Sequence, residues 1–85
     1  MVRLTVKATQ DGTTTVEIEG RIVSEWINVV ETECQGLLAQ GNNVVLDFSA
    51  VNFVGADGVR MIRRLITNGC RIKNCPPFIQ QIVFT

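Results

Sequence analysis

The strongest constraint on the fold of this chain lies in residues 44–65, VVLDFSAVNFVGADGVRMIRRL, where three elements follow one another directly. The apolar run of Val44, Val45 and Leu46, with Phe48, has the length and β-branched content of a strand covered on both faces, as in a parallel sheet. A short glycine-flanked turn follows, with Asp57 at the position expected of a helix N-cap. The segment therefore predicts a strand, a turn and a helix, and places the expected functional site there.

The predicted helix after Asp57 has two contrasting faces. At about 100° per residue, its apolar residues fall on one side and Arg60, Arg63 and Arg64 cluster on the other. The apolar side comprises Val59, Met61, Ile62, Leu65 and Ile66. One face is expected to pack, and the other to present positive charge.

The composition indicates one small globular domain that spans residues 1–85. An apolar fraction of 46% excludes a disordered chain, and no apolar run approaches the roughly 18 residues needed to cross a bilayer. The first residues, MVRLTVKATQDG, alternate apolar and polar side chains, which is not the pattern of a signal peptide. We therefore expect a cytoplasmic protein that does not insert directly into a membrane.

The cysteines and the net charge limit which ligands the chain is expected to bind. Cys34, Cys70 and Cys75 cannot all pair within one chain, and without a histidine they lack the usual company of a zinc site. We interpret them as buried or partly buried structural thiols, with redox sensing as the alternative, and expect no metal and no cofactor. The net charge is zero, which argues against nucleic acid as a partner.

The first half of the chain predicts a hairpin followed by a long helix. Apolar and polar residues alternate in residues 2–7 and 14–19, and Asp11-Gly12 between them is typical of a tight turn. Gly20 is expected to end the second strand, and a helix is expected from a Ser24 cap to Gly41. Its apolar stripe, which we assign to the core, comprises Val23, Trp26, Ile27, Val30, Cys34, Leu37 and Leu38.

The end of the chain predicts a short strand and a last helix. Asn68-Gly69 is a helix stop, residues 70–74 form a short strand, and Pro76 and Pro77 open the final helix. The element order is β-β-α-β-α-β-α, in which strand-helix-strand successions favour parallel pairing with right-handed crossovers. The prediction is an α/β fold with a mixed four-stranded sheet and helices packed against it.

This order resembles the STAS domain, the family named for sulfate transporters and anti-sigma factor antagonists. The phrases that carry the resemblance are EGRIV, VVLDFSAVNFVGADGV and CRIKNCPPFIQQIV. In bacterial anti-anti-sigma members the turn reads Asp-Ser-Ser-Gly or Asp-Ser-Thr-Gly, and the hydroxyl at its third position accepts phosphate from a kinase that is also the anti-sigma factor. Here Gly55, Ala56, Asp57 and Gly58 correspond, so Asp57 stands in place of the acceptor. The resemblance also implies a domain that is short at its C-terminus.

Asp57 has three interpretations. As an N-cap it would stabilise the helix by about 0.5 to 2 kcal/mol. As a permanent negative charge it would partly mimic a phosphate, which carries a charge of about −1.5 to −2. Direct phosphorylation of its carboxylate is the third interpretation, although the sequence lacks an evident acidic metal pocket.

An enzyme is not expected. Histidine is absent, no motif places a serine or cysteine beside a base, and no GxxxxGK[ST] motif is present. Asp47 and Asp57 could approach one another across the turn as an acid–base pair, but a loop-stabilising acid and a cap are the favoured interpretation. The arginine face is either solvated or a protein-docking surface.

Two functional hypotheses follow. The first is a non-enzymatic interaction module, resembling anti-sigma factor antagonists of bacterial transcription regulation and signalling, with an anti-sigma factor kinase as the partner. Its docking residues would be Phe53, Val54, Gly55, Ala56, Asp57, Gly58, Arg60, Arg63 and Arg64. The alternative is a structural or accessory subunit of a transporter or sensory assembly, or a homodimer, that uses Phe78, Ile82 or Phe84.

Overall fold

The computed structural model describes residues 2–84 and has the predicted element order. The elements are β1 (Val2–Gln10), β2 (Thr13–Ile22), α1 (Glu25–Ala39), β3 (Asn43–Val54), α2 (Ala56–Thr67), β4 (Arg71–Lys73) and α3 (Pro77–Val83). The sheet order is β1-β2-β3-β4, with β1 antiparallel to β2 and the two other pairs parallel. The mixed four-stranded α/β fold is therefore confirmed.

The N-terminal hairpin turns at Asp11 and Gly12, as predicted. Both residues have a positive φ, 54° and 77°, which suits the right-handed twist of the flanking strands. The prediction that Gly20 ends β2 is wrong, because the strand continues to Ile22. Gly20 has a φ of 103° and lies next to a register shift against β3, so the glycine accommodates a bulge inside the strand.

Helix α1 starts at Glu25 and is held in place by its buried face. Ser24 is its N-cap residue, as predicted, but Ser24 has a φ of 53° and its side chain makes no capping hydrogen bond. Val30 and Cys34 are fully buried, which confirms that the apolar stripe belongs to the core. Gly41 follows the helix with a φ of 87°, as expected of a glycine stop.

The core lies on one side of the sheet. Along β2 and β3, alternate residues such as Val16, Ile18, Leu46 and Phe48 are buried and pack with residues of the helices, while their neighbours remain partly exposed. The expectation that β3 is covered on both faces is therefore wrong. Its apolar run includes Val45, which is only partly buried.

Candidate functional site

The expected turn at residues 53–58 is the end of one strand and the start of one helix. Phe53 and Val54 are the last residues of β3, Gly55 is the N-cap of α2, and residues 56–58 form the first helical turn. The Gly55 amide donates a hydrogen bond of 3.1 Å to the carbonyl of Ile22, the last residue of β2. The prediction of a separate turn is wrong, because β3 extends to Val54 and a single residue makes the connection.

Asp57 lies inside the first turn of α2, so the prediction that it is the N-cap is wrong. Its carboxylate accepts a hydrogen bond from the guanidinium of Arg60, one turn further along the helix. Both side chains remain largely exposed, at 73% for Asp57 and 64% for Arg60. A negative charge here still complements the positive end of the helix dipole. The structure thus presents an accessible carboxylate at the start of α2.

Gly58 brings α2 close to the end of β2. A Cβ atom at this position would lie 2.8 Å from the Ile22 carbonyl oxygen and 2.9 Å from Cγ1 of Val54. Both distances are too short for real contacts, and the first involves backbone, which cannot move aside cheaply. Gly58 therefore allows the close packing that positions Asp57.

The arginine face is exposed, as predicted, but each of its guanidinium groups has a contact within the chain. Arg64 donates two hydrogen bonds of 2.9 Å to the carboxylate of Glu31 on α1. Arg63 donates to the carbonyl oxygens of Ile82, at 2.7 Å, and Val83, at 3.2 Å, on α3. Arg63 and Arg64 therefore tie α3 and α1 to α2, whereas Arg60 pairs with Asp57 within α2.

An apolar groove, which the sequence did not reveal, is lined in part by Arg60, the hydrogen-bond partner of Asp57. It is lined by Val54, Ala56 and Val59 and by Ile82 of α3, with Arg60 and Arg63 at its rim. All of its lining residues except Ile82 lie between Val54 and Arg63, and local periodicity could not indicate that α3 packs beside them.

Phe53, the residue before Val54 on β3, is also exposed but does not line this groove. Its side chain is 43% exposed, and the guanidinium carbon of Arg21 lies 4.7 Å from the ring centroid. This cation–π contact fixes one face of an aromatic ring near the start of α2. The parallel pairing of Arg21 with Phe53 follows a register shift in β2, which the sequence pattern did not indicate.

Asp47 and Asp57 are not brought together. The Asp47 carboxylate accepts hydrogen bonds from the Ser49 amide, at 2.9 Å, and from the Asn74 side chain, at 3.2 Å. The Ser49 bond is the main reason that the pKa of Asp47 lies below its usual value. From Asp47 the strand runs roughly 20 Å to Val54, and Asp57 lies beyond that point. The predicted acid–base pair is thus wrong, and Asp47 instead bonds to Ser49 within β3 and to Asn74 just after β4.

The cysteines are free thiols, as predicted, with Cys34 and Cys70 buried and Cys75 partly buried. Burial raises the pKa of Cys34 to about 12. Across residues 2–84, no group of three or more acidic or cysteine side chains is arranged to hold a metal ion. No helix in that part of the chain has both the length and the apolar character needed to cross a membrane.

Comparisons with known proteins indicate what the chain resembles. The sequence model of the STAS domain matches residues 5–73. The anti-sigma factor antagonist SpoIIAA in its unphosphorylated form superposes with a TM-score of 0.77 at 11% identity, covering 94% of this chain and 80% of that chain. An anti-sigma factor antagonist from Mycobacterium paratuberculosis gives a TM-score of 0.73 at 22% identity, over 85% of this chain and 66% of that one.

A third similar structure belongs to a much longer chain. The crystal structure of Mglu has a TM-score of 0.64 at 23% identity, and the match covers 82% of this chain but only 19% of Mglu. No curated protein sequence matches the chain. At these identities the solved structures establish a shared fold.

Proposed function

Because the chain belongs to the STAS domain family, we propose that it is a non-enzymatic interaction module that regulates an anti-sigma factor by docking onto it. The observation that carries the proposal is the exposed carboxylate of Asp57, which is bonded to Arg60 at the wall of an open apolar groove at the start of α2. Apolar contact supplies affinity in such surfaces, and charge at the rim supplies specificity. The fold shared with anti-sigma factor antagonists supports this choice of partner.

Some residues of the proposed docking surface are exposed and can contact a partner, whereas others are buried and support the surface. Phe53 and Ala56 are exposed and are available to contact a partner, whereas Val54 and Gly58 are buried and shape the surface. The remaining residues are Gly55, Asp57, Arg60, Arg63 and Arg64, which make the intrachain contacts described above. We assign Phe53 the largest share of the binding energy, since partly exposed aromatic side chains are frequent hot spots.

Asp57 fixes the charge state of this surface. A serine or threonine at the same position would be neutral until phosphorylated, whereas a carboxylate is charged throughout. The charge of Asp57 is smaller than the −1.5 to −2 or so of a phosphate, and Arg60 already partly offsets it. In our proposal the module is therefore held in one charge state that the partner kinase does not change.

We propose that residues 1–85 act as one domain and that the domain works in the cytoplasm. Unpaired cysteines support this location, since free thiols persist in reducing compartments. The family match over residues 5–73 supports a single unit.

The docking surface is tested by comparing two alanine-to-arginine variants. Ala56→Arg would place a long charged side chain across the groove, and we expect the variant to lose binding to a purified anti-sigma factor from the same organism. Ala39→Arg makes the same change at an exposed residue at the end of α1 and should bind like wild type. Equal binding by both variants, or no binding by the wild type, measured by calorimetry, would refute the proposal.

Arg63→Glu is a poorer test than Ala56→Arg. The Arg63 guanidinium holds the last carbonyls of α3, so its replacement would disturb that helix as well as the surface charge. Loss of binding in Arg63→Glu would not separate the two effects.

Asp57→Ser tests whether the position is that of a phosphate acceptor. We expect the serine variant, incubated with ATP and the anti-sigma factor, to gain one phosphate at residue 57, while Asp57→Ala gains none. Mass spectrometry of the intact protein measures this directly. A serine variant that binds the kinase yet stays unmodified would contradict the assignment, and an acid-labile phosphate on wild type would indicate a phosphorylated carboxylate.

The alternative function, an accessory subunit of a larger assembly, is favoured by the outer face of α3. Phe78, Ile82 and Phe84 are 53%, 44% and 53% exposed, and apolar side chains grouped in this way commonly mark an interface. In that case Phe78→Glu should abolish assembly, while Ala56→Arg should have little effect.

A further inference from the structure

The outer edge of β1 carries no partner strand in residues 2–84. Strand β1 is nine residues long and forms one end of the sheet. Its second half is irregular, since the pairing with β2 shifts between Val6 and Ala8, but the pairing of residues 2–6 is regular. A regular free edge presents unpaired backbone N–H and C=O groups to which another strand can bond.

An apolar groove runs alongside this edge, between β1 and α1. Val2, Leu4 and Val6 line it from the strand, and Val29 and Leu37 line it from the helix. Val6 is 58% exposed and Val29 is 40% exposed. A strand added here would gain both backbone hydrogen bonds and burial of apolar surface.

We propose that a second copy of this chain occupies the edge, with the two β1 strands antiparallel about a twofold axis. A twofold interface must be complementary to itself. The rim of the groove carries one cation, Arg3, and one anion, Glu33, so it neither repels a second copy nor selects a partner of one charge. The apolar residues of β1 alternate on one face, so two copies would extend the same apolar face across a continuous sheet.

The charges on β1 discriminate between the two registers that are centred on its regular part, at Leu4 and at Thr5. With Leu4 opposite Leu4 of the partner subunit, Val2 faces Val6 and Arg3 faces Thr5, and no like charges meet. With Thr5 opposite Thr5 of the partner subunit, Arg3 of each subunit would lie opposite Lys7 of the other, which gives two pairs of like charges. Like charges directly opposite each other destabilise a strand pair, so the first register is preferred.

Light scattering after size-exclusion chromatography, from micromolar to millimolar protein, tests the dimer. We expect wild type to form a dimer whose dissociation constant rises about tenfold or more in Val6→Lys, because each subunit would bury a charge at the seam. Ile82→Lys makes a similar change at a residue of comparable exposure on α3 and should dimerise like wild type. A monomeric wild type, or a dimer lost only in Ile82→Lys, would overturn the proposal.

Cysteine cross-linking tests the register on a Cys75→Ser background, which removes the partly buried native thiol. Directly opposed residues have Cα atoms about 4.5 to 5.5 Å apart, within the range of a disulfide. We therefore expect Leu4→Cys to form a cross-linked dimer on oxidation. Thr5→Cys should not, since its Cα atoms would be roughly 8 Å apart. Cross-linking through Thr5→Cys but not Leu4→Cys would overturn this register.

Discussion

Glu31 and Arg64 join α1 to α2 through paired hydrogen bonds of 2.9 Å. The hydrogen bond from Arg64 lowers the pKa of Glu31 from its ordinary value of 4.5. A carboxyl group whose pKa is lower in the folded than in the unfolded state stabilises the fold above the unfolded pKa, and this stabilisation is lost as the pH falls through the folded pKa. The Arg64 side chain is 54% exposed, so solvent screens the pair and the effect is small.

We predict that Glu31→Gln lowers the urea midpoint of unfolding at pH 7 and that its difference from wild type vanishes once the pH falls below the lowered pKa of Glu31. Glu33→Gln is the matched control, because Glu33 lies on the same helix and has no ion-pair partner within residues 2–84. Equal midpoints for all three proteins at pH 7 would show that the pair adds nothing to stability.

The arginines of α2 show which features of a surface the sequence can predict. Helical spacing correctly placed Arg60, Arg63 and Arg64 on the exposed face of α2. The partners of Arg63 and Arg64 could not be predicted in the same way, because the end of α3 and Glu31 reach them only through tertiary packing. Asp57 shows that helix starts are also hard to predict from the sequence. The N-cap is Gly55, two residues before the expected position, so Asp57 lies in the first turn of the helix.

Helices α1 and α2 each contain a glycine, and the two should respond in opposite ways to replacement by alanine. In a helix interior alanine is normally favoured over glycine by up to about 1 kcal/mol. Gly36 on α1 has open space where a Cβ would lie, so Gly36→Ala should stabilise the protein. At Gly58 the Cβ would meet the Ile22 carbonyl at 2.8 Å, so Gly58→Ala should destabilise it by about 1 to 3 kcal/mol.

Urea denaturation of both alanine variants measures the change in the free energy of unfolding relative to wild type, which should be positive for Gly36→Ala and negative for Gly58→Ala. A stabilised Gly58→Ala would mean that α2 can move away from the end of β2 at little cost. In that case the start of α2 would be held less rigidly than the contact distances indicate.

The order and type of the elements could be predicted because the apolar periodicity changes clearly between strands and helices. Strand ends could not, because the parallel pairing of β2 with β3 shifts register between Glu17 and Glu19 and again between Gly20 and Arg21. Such bulges let strands continue through glycine and polar residues that normally suggest a strand end. This is why Gly20 lies inside β2 and why β3 runs to Val54.

The whole molecule is built from two layers, a sheet and the helices that cover one of its faces. Its other face carries charged side chains such as Lys7 and Glu17, whose charged atoms lie 3.5 Å apart. A two-layer fold of this size has one core and depends on it as a unit. The apolar surface at the β1 edge arises where β1 meets α1, so no single segment indicated it, whereas the exposed Phe78, Ile82 and Phe84 at the end of the chain were expected from the sequence.

The cysteines offer a probe of whether this core opens as one unit. Cys34 and Cys70 are buried, and desolvation raises the pKa of both thiols, that of Cys34 to about 12. Since the thiolate is the reactive form, we predict that iodoacetamide at pH 8 modifies Cys75 first. Cys34 and Cys70 should then be modified at the same rate, because both become accessible only when the protein unfolds. Both modification rates should increase equally as the urea concentration is raised. Peptide mass spectrometry gives each rate separately. If Cys70 reacted well before Cys34, the start of β4 would open independently of α1, and the core would not behave as one cooperative unit.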